Sequence, residues 1–168
     1  MITFDKNFNR MDTLAATLSD YEIDRGKPMP SFNHSAIQVN AVIALASRYR
    51  TKYRFTSETS LELEGWGSTP DVLIFPPTLL NLKADKIRVK ESPLGIIEIL
   101  SPTQSLNDLV DKADQYFEYG VKSCWIIIPS MGGVAIYTAP DKYTFFNEND
   151  VAKDQVLGLE VPVAELFA

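Results

Sequence analysis

Residues Gly95–Ile128, GIIEILSPTQSLNDLVDKADQYFEYGVKSCWIII, decide the fold. The opening "GIIEILSP" is apolar except for one carboxylate, as expected of a strand covered on both faces. The next segment, "SLNDLVDKADQYFEYG", sets Leu106, Leu109, Val110, Ala113 and Phe117 on one helical face. It opens on Ser105 with Asp108 as a capping pair and stops at Gly120. "KSCWIIIPS" then reads as a second strand. A strand, a helix and a strand in succession indicate an α/β (α+β) chain, and Glu98 is the anomaly in it. An ionised carboxylate buried without a partner is costly or takes up a proton, so a base, hydrogen-bond donors or a metal must compensate it.

Working outward, "PDVLIFPP" (Pro70–Pro77) repeats the pattern of a short apolar strand bounded by prolines. Between the two lies "TLLNLKADKIRVKESP" (Thr78–Pro93), an irregular stretch long enough to be functional or mobile. "YRFTSETSLELE" (Tyr53–Glu64) reads as one strand by its alternation, closed by the "GWGS" turn. Two helices precede it. "DTLAATLSDY" (Asp12–Tyr21) is short, while "HSAIQVNAVIALASRYR" (His34–Arg50) carries Ile37, Val39, Val42, Ile43, Leu45 and Ala46 mostly along one side, with Asn33 or Ser35 as cap. "GGVAIYTAP" and "KYTFFNE" add two later strands. With no repeat, linker or low-complexity tract, one domain is expected over residues 1–168.

A chain of 168 residues with 45% hydrophobic and 23% charged content buries one good core. It shows neither a signal peptide nor a long apolar run, so the cytoplasm is the expected compartment, with no membrane span. Cys124 is the only cysteine, which excludes a disulfide within the chain or a cysteine-built metal site. The net charge of -6 and pI near 4.8 exclude bulk electrostatic coating of nucleic acid. Local basic patches remain open at "SRYRTKYR" (Ser47–Arg54) and "LKADKIRVK" (Leu82–Lys90), each of which also reads as a solvated surface.

Strand periodicity turns Glu98 away from Ile97 and Ile99. Asp71, which opens the preceding apolar strand, meets it if the two strands are neighbours. Two carboxylates so close need a cation between them, and a hard divalent metal is the economical solution. A nearby cation should complete such a site, and Lys112 is the candidate, one turn after Asp108 and one turn before Tyr116. An ordinary exposed i,i+4 pair of Asp108 with Lys112 explains the same spacing. No G-x-S-x-G, Walker-type loop or dinucleotide fingerprint is present.

"PDVLIF" followed by "IIEILSPTQSLNDLVDKADQYFEYGVKSCWII" resembles the Uma-type putative restriction endonuclease family, a bacterial domain family of unknown function assigned to the PD-(D/E)XK nuclease superfamily. The matching positions are Pro70-Asp71, Glu98 with Ser101, Asp108, Lys112, Tyr116, Gly120 and Trp125. Upstream, "YEIDRGKPMPSFNHS" is similar to the family's entry, with His34-Ser35 at the head of the second helix.

The resemblance implies a restriction-endonuclease-like mixed β-sheet flanked by helices. It also implies Mg2+ or Mn2+ held by Asp71, Glu98 and the carbonyl of Ile99, with Asp71, Glu98 and Lys112 as the catalytic set. Standard members of the superfamily carry a lysine two residues after the glutamate. Here that position is Leu100, and the Uma-type pattern moves the lysine to the helix, as Lys112. His34 is a candidate metal ligand or a helix-terminal structural residue, and Glu58 an additional acid or a plain surface glutamate. Ser101 and Tyr116 either position a phosphate or the Lys112 head group, or serve as a strand-end hydroxyl and a helix-core aromatic. The implied function is metal-dependent endonucleolytic hydrolysis of DNA, with a homodimer expected from the symmetry of a duplex. The alternative is a module of the same fold that binds or interacts but has lost cleavage, which the acidic pI and Leu100 favour.

Overall fold

The computed structural model describes residues 29–168, so the helix expected over Asp12–Tyr21 lies outside the described residues. Helix α1 (Phe32–Tyr49) starts two residues earlier than its apolar spacing suggests. Its cap is Ser31 rather than Asn33 or Ser35: extended backbone after Pro30 lets the Ser31 hydroxyl accept the His34 N–H at 3.3 Å. The helix buries His34, Ile37, Ala41, Ala44 and Leu45, while Val39 and Ile43 are exposed, so its packed stripe is narrower than the sequence implied.

The stretch expected as one strand over Tyr53–Glu64 is two: β1 (Arg54–Ser57) and β2 (Ser60–Leu63), in different sheets. The break is at Glu58, whose φ of 52° is left-handed and ends the extended run. The "GWGS" segment contributes β3 (Trp66–Ser68) as well as a turn. Then follow β4 (Val72–Phe75), the two-residue β5 (Arg88–Val89) inside the long irregular stretch, and β6 (Gly95–Ile99). Helix α2 (Leu106–Glu118) carries the expected Ser105–Asp108 capping box and ends where Gly120 takes φ 91°. After it come β7 (Ser123–Ile128), β8 (Gly133–Ala139) and β9 (Lys142–Asn147), as expected. The chain closes with β10 (Val151–Asp154), β11 (Leu159–Pro162) and the short α3 (Ala164–Phe167).

The main sheet is mixed, in the order β1-β4-β6-β7-β8-β9, with β6 and β7 parallel and the other neighbours antiparallel. Helix α2 makes the crossover that the parallel pair needs. Strict alternation splits the core in two. Val72, Ile74, Ile97, Ile99, Trp125 and Ile127 face α1 and the β10–β11 hairpin, whereas Leu73, Ile96, Cys124, Ile126 and Ala135 face α2 and the small sheet β3-β2-β5. Both faces of β6 are thereby covered, so Glu98 is buried by topology. Among the described residues no helix is long and apolar enough to cross a membrane.

One buried acid was not singled out in the sequence. Asp154 accepts the Ser123 hydroxyl at 2.6 Å and the Trp125 indole N–H at 2.9 Å on one oxygen, and the Val156 and Leu157 N–H groups on the other. It ties β10 to β7 beneath the α1 face. Asp154→Ala leaves an indole N–H and a hydroxyl stranded in the core, and we expect it to lower unfolding free energy by about 3 kcal/mol in urea titrations. The geometry around Glu98 should be unaffected.

Candidate active site

The β4–β6 register pairs Val72 with Ile97, so the next residue outward on each strand is Asp71 on one and Glu98 on the other. Both are buried, at 2% and 3% exposure. Pro70 and Asp71 lie beyond the end of β4, so the Ile99 N–H finds a side chain where the ladder would have supplied a carbonyl: Asp71 Oδ2 accepts it at 2.8 Å. The Asp71 carbonyl is also held, accepting Gln38 Nε2 at 2.9 Å and the Glu58 N–H at 3.2 Å. Asp71 is therefore fixed from β1, β6 and α1 together.

His34 comes from the first turn of α1, and its Nε2 lies 3.1 Å from Asp71 Oδ2. With Asp71 ionised, Nε2 carries the proton and donates. The buried Nδ1 has no partner among the described residues. His34 is thus a neighbour that orients Asp71. Glu58 sits in the bend between β1 and β2, next to Asp71 through the backbone, and not on the polar face of a continuous strand.

Glu98 points into α2. Lys112 and Tyr116 are four residues apart on that helix and so share a side. Both meet the same carboxylate oxygen: Tyr116 donates to Oε1 at 2.6 Å, and Lys112 Nζ lies 2.8 Å from it. The Lys112 ammonium thus goes to Glu98 and not to Asp108, whose carboxylate accepts the Ser105 N–H at 3.3 Å in the capping box. The cation in the isoleucine strand's surroundings is Lys112, and the donor is Tyr116.

Burial above all, then the charge and hydrogen bond of Glu98, hold the Tyr116 phenol well above its ordinary pKa, so it remains a donor. Ser68 Oγ lies 2.7 Å from the phenol oxygen, giving a relay from Ser68 through Tyr116 to Glu98. Trp66 packs edge-on against Tyr116 and stacks on Tyr119, which fixes the phenol ring. Ser68 and Trp66 lie in the segment read only as a turn; nothing local marked them. Burial, then the charge of Glu98, raises the Cys124 pKa, so the thiol stays protonated and is no nucleophile. Ser101 donates to Gln104 Oε1 at 3.1 Å within the loop after β6 and does not reach Glu98 or Lys112 by any hydrogen bond.

These groups suit a hard divalent cation. Among the described residues no three His, Cys, Asp or Glu side chains form a metal cage, so a cation held here would draw on the two carboxylates and backbone oxygen. Among the described residues every hydrogen bond and ion pair of Glu98 falls on Oε1, which leaves the lone pairs of Oε2 without a donor there. In an extended strand a residue's C=O points to the same side as its N–H, so the Ile99 carbonyl points to the edge where Asp71 lies. An all-oxygen set of this kind would suit a hard divalent cation and not a soft metal.

Among curated proteins none matches the chain. A crystal structure from Anabaena variabilis, described as "a putative nuclease belonging to DUF820", aligns with TM-score 0.71 over 83% of each chain at 23% identity. That likeness shows the fold: a mixed sheet flanked by helices. The DrdV–DNA complex seen by cryoEM aligns at TM-score 0.33 and 10% identity, over 68% of this chain and 9% of that one, too distant to bear on either fold or function. The profile of the Uma2 family, "Putative restriction endonuclease", matches residues 6–164, and the chain belongs to that family.

Proposed function

We propose that the protein is a metal-dependent endonuclease that hydrolyses phosphodiester bonds in DNA. The observation that carries this reading is the pair of buried carboxylates, Asp71 and Glu98, at one end of adjacent strands, with the Lys112 ammonium 2.8 Å from one of them. Asp71, Glu98 and the Ile99 carbonyl would hold Mg2+ or Mn2+, which when bound acidifies a water and polarises the scissile phosphate. Lys112 supplies a second positive charge at the same place. From there its ammonium orients the nucleophile or stabilises the charge that develops on the phosphate. Tyr116 and Ser68 fix the Glu98 carboxylate on the Lys112 side, and His34 with the Ile99 N–H fixes Asp71. These hydrogen bonds prepay the orientation of both acids.

One observation favours a second reading, a module of the same fold that binds without cutting. Glu98 is already compensated by Lys112 and Tyr116, and Asp71 by His34 and the Ile99 N–H, so neither acid depends on a metal for its burial. A calorimetric Mn2+ titration separates the two. The nuclease reading expects one site in the wild type, lost in both Asp71→Ala and Glu98→Ala. Wild-type protein that binds no Mn2+, alone or with a duplex present, would leave only the binding module.

A further inference from the structure

We propose that the segment Thr78–Lys90 is a duplex-gripping arm that runs from the far end of β4 to the small sheet bordering the catalytic groups, with its cations on DNA phosphates and its exposed aliphatic side chains against the sugars and base edges of a groove. This inference rests on the nuclease reading and extends it to the form of the substrate.

The first support is composition. The segment "TLLNLKADKIRVK" carries Lys83, Lys86, Arg88 and Lys90 against a single carboxylate, Asp85, in a chain whose net charge is -6. Interleaved with these cations, Leu79, Leu80, Leu82 and Ile87 are 92%, 67%, 91% and 90% exposed. So many large aliphatic groups standing in water on one short segment mark a contact surface. Alternating aliphatic and basic side chains suit a polyanion whose grooves are lined by sugars and base edges, which apolar side chains enter as wedges. A second copy presenting the same arm across a two-fold axis would set like charge against like charge.

The second support is position. The chain leaves β4 at Phe75, the end of that strand remote from Asp71, and returns to the small sheet at β5. There Arg88 pairs with Ser60 and Val89 with Leu61, and on the other side of β2 Leu61 pairs with Ser68. Ser60 Oγ is 3.4 Å from Thr69 Oγ1, two residues before Asp71. Ser68 joins the relay to Glu98. Val89 therefore stands two strand spacings, roughly 10 Å, from the residue that hydrogen-bonds Tyr116. The arm thus ends on the small sheet that carries Ser68, with Val89 turned to the core and Arg88 and Lys90 flanking it on the solvent face beside Glu62.

Third, the cations are held loosely enough to be recruited. Arg88 and Lys90 lie 3.7 and 3.8 Å from the Glu62 carboxylate, and Lys86 pairs with Glu91, all with well-exposed cationic side chains. Surface pairs of this kind are weak and yield to a phosphate.

The test compares wild type, the fourfold variant Lys83→Ala, Lys86→Ala, Arg88→Ala, Lys90→Ala, and the fourfold variant Leu79→Ser, Leu80→Ser, Leu82→Ser, Ile87→Ser. Binding of a fluorescent 30-base-pair duplex is measured in Ca2+ from low to moderate salt. Hydrolysis of bis(4-nitrophenyl) phosphate, which needs the catalytic groups and no arm, is measured in Mn2+. The expected result is that both variants hydrolyse the small diester like wild type. The charge variant loses about 30-fold or more in duplex affinity and about 3 to 4 in the salt slope. The aliphatic variant loses affinity with the slope kept. Small-diester activity with unchanged duplex binding in the charge variant overturns the arm and leaves the nuclease standing. A wild type that fails on both substrates overturns the nuclease reading and the arm with it. Wild-type dimers that the aliphatic variant converts to monomers, with duplex affinity unchanged, make the segment an interface between copies and also overturn the inference.

Discussion

The Glu98→Gln protein is expected to fold like wild type, to bind Mn2+ at least about 100-fold more weakly and to cut DNA about 1,000-fold more slowly or not at all. Glutamine matches glutamate in shape, and its carbonyl oxygen can still accept the Tyr116 hydroxyl, so the packing among Ile96, Ile126 and α2 survives. What disappears is the negative charge on a group only 3% exposed, the only charge there that β6 offers a cation. Lys112 is left without its partner, but with a quarter of its side chain already exposed it can turn its ammonium to water. The three readouts are a thermal melt, calorimetry with Mn2+ and a plasmid-cleavage time course. Cleavage retained in Glu98→Gln, or in the harsher Glu98→Ala, removes Glu98 from the chemistry and takes the nuclease mechanism with it.

Glu98 was conspicuous because every neighbour on its strand is apolar, and burial on both faces is the condition that makes a strand read that way. The same condition made β4, β7 and β8 legible, and the strong amphipathic pattern with both caps made α2 so. The weaker elements failed for identifiable reasons. Period-two alternation ran unbroken from Phe55 to Leu63, yet the left-handed backbone at Glu58 leaves no mark in a pattern of side chains and sends β2 into another sheet. In β10 the buried Asp154 interrupts the apolar pattern, because its stabilisation comes from Trp125 and Ser123, about 30 residues earlier.

At the site, the sequence brought forward Asp71, Glu98 and Lys112 but could not choose between Asp108 and Glu98 as the partner of Lys112. Helical spacing permits the first, and only the packing of α2 on β6 produces the second. The Tyr116 contact follows from the same packing. Its continuation to Ser68 depends on a hairpin that looked like a turn.

Lys112 is where stability and chemistry are hardest to separate, and removing it is expected to damage both. Lys112→Ala leaves the Glu98 carboxylate buried with one hydroxyl donor, and losing one member of a buried ion pair is far more costly than losing an exposed pair. Because the lysine is partly exposed, a loss of about 2 kcal/mol is expected, below the range for fully buried pairs. Cleavage is expected to fall about 100-fold or more, since Leu100 occupies the strand position that a second cation would need and is packed against the α2-side core. A double-mutant cycle divides the two effects. In Glu98→Gln with Lys112→Ala the pair leaves no stranded charge behind, so stability should return to within about 1 kcal/mol of wild type while cleavage stays absent. Urea unfolding and cleavage are measured on all four proteins. Stability that recovers in the double variant assigns the folding loss to the stranded carboxylate and leaves the cleavage loss of Lys112→Ala to the missing ammonium. If Lys112→Ala instead cuts DNA at the wild-type rate, Lys112 is a counter-ion for Glu98 alone, and the positive charge at the scissile phosphate must come from elsewhere on the chain.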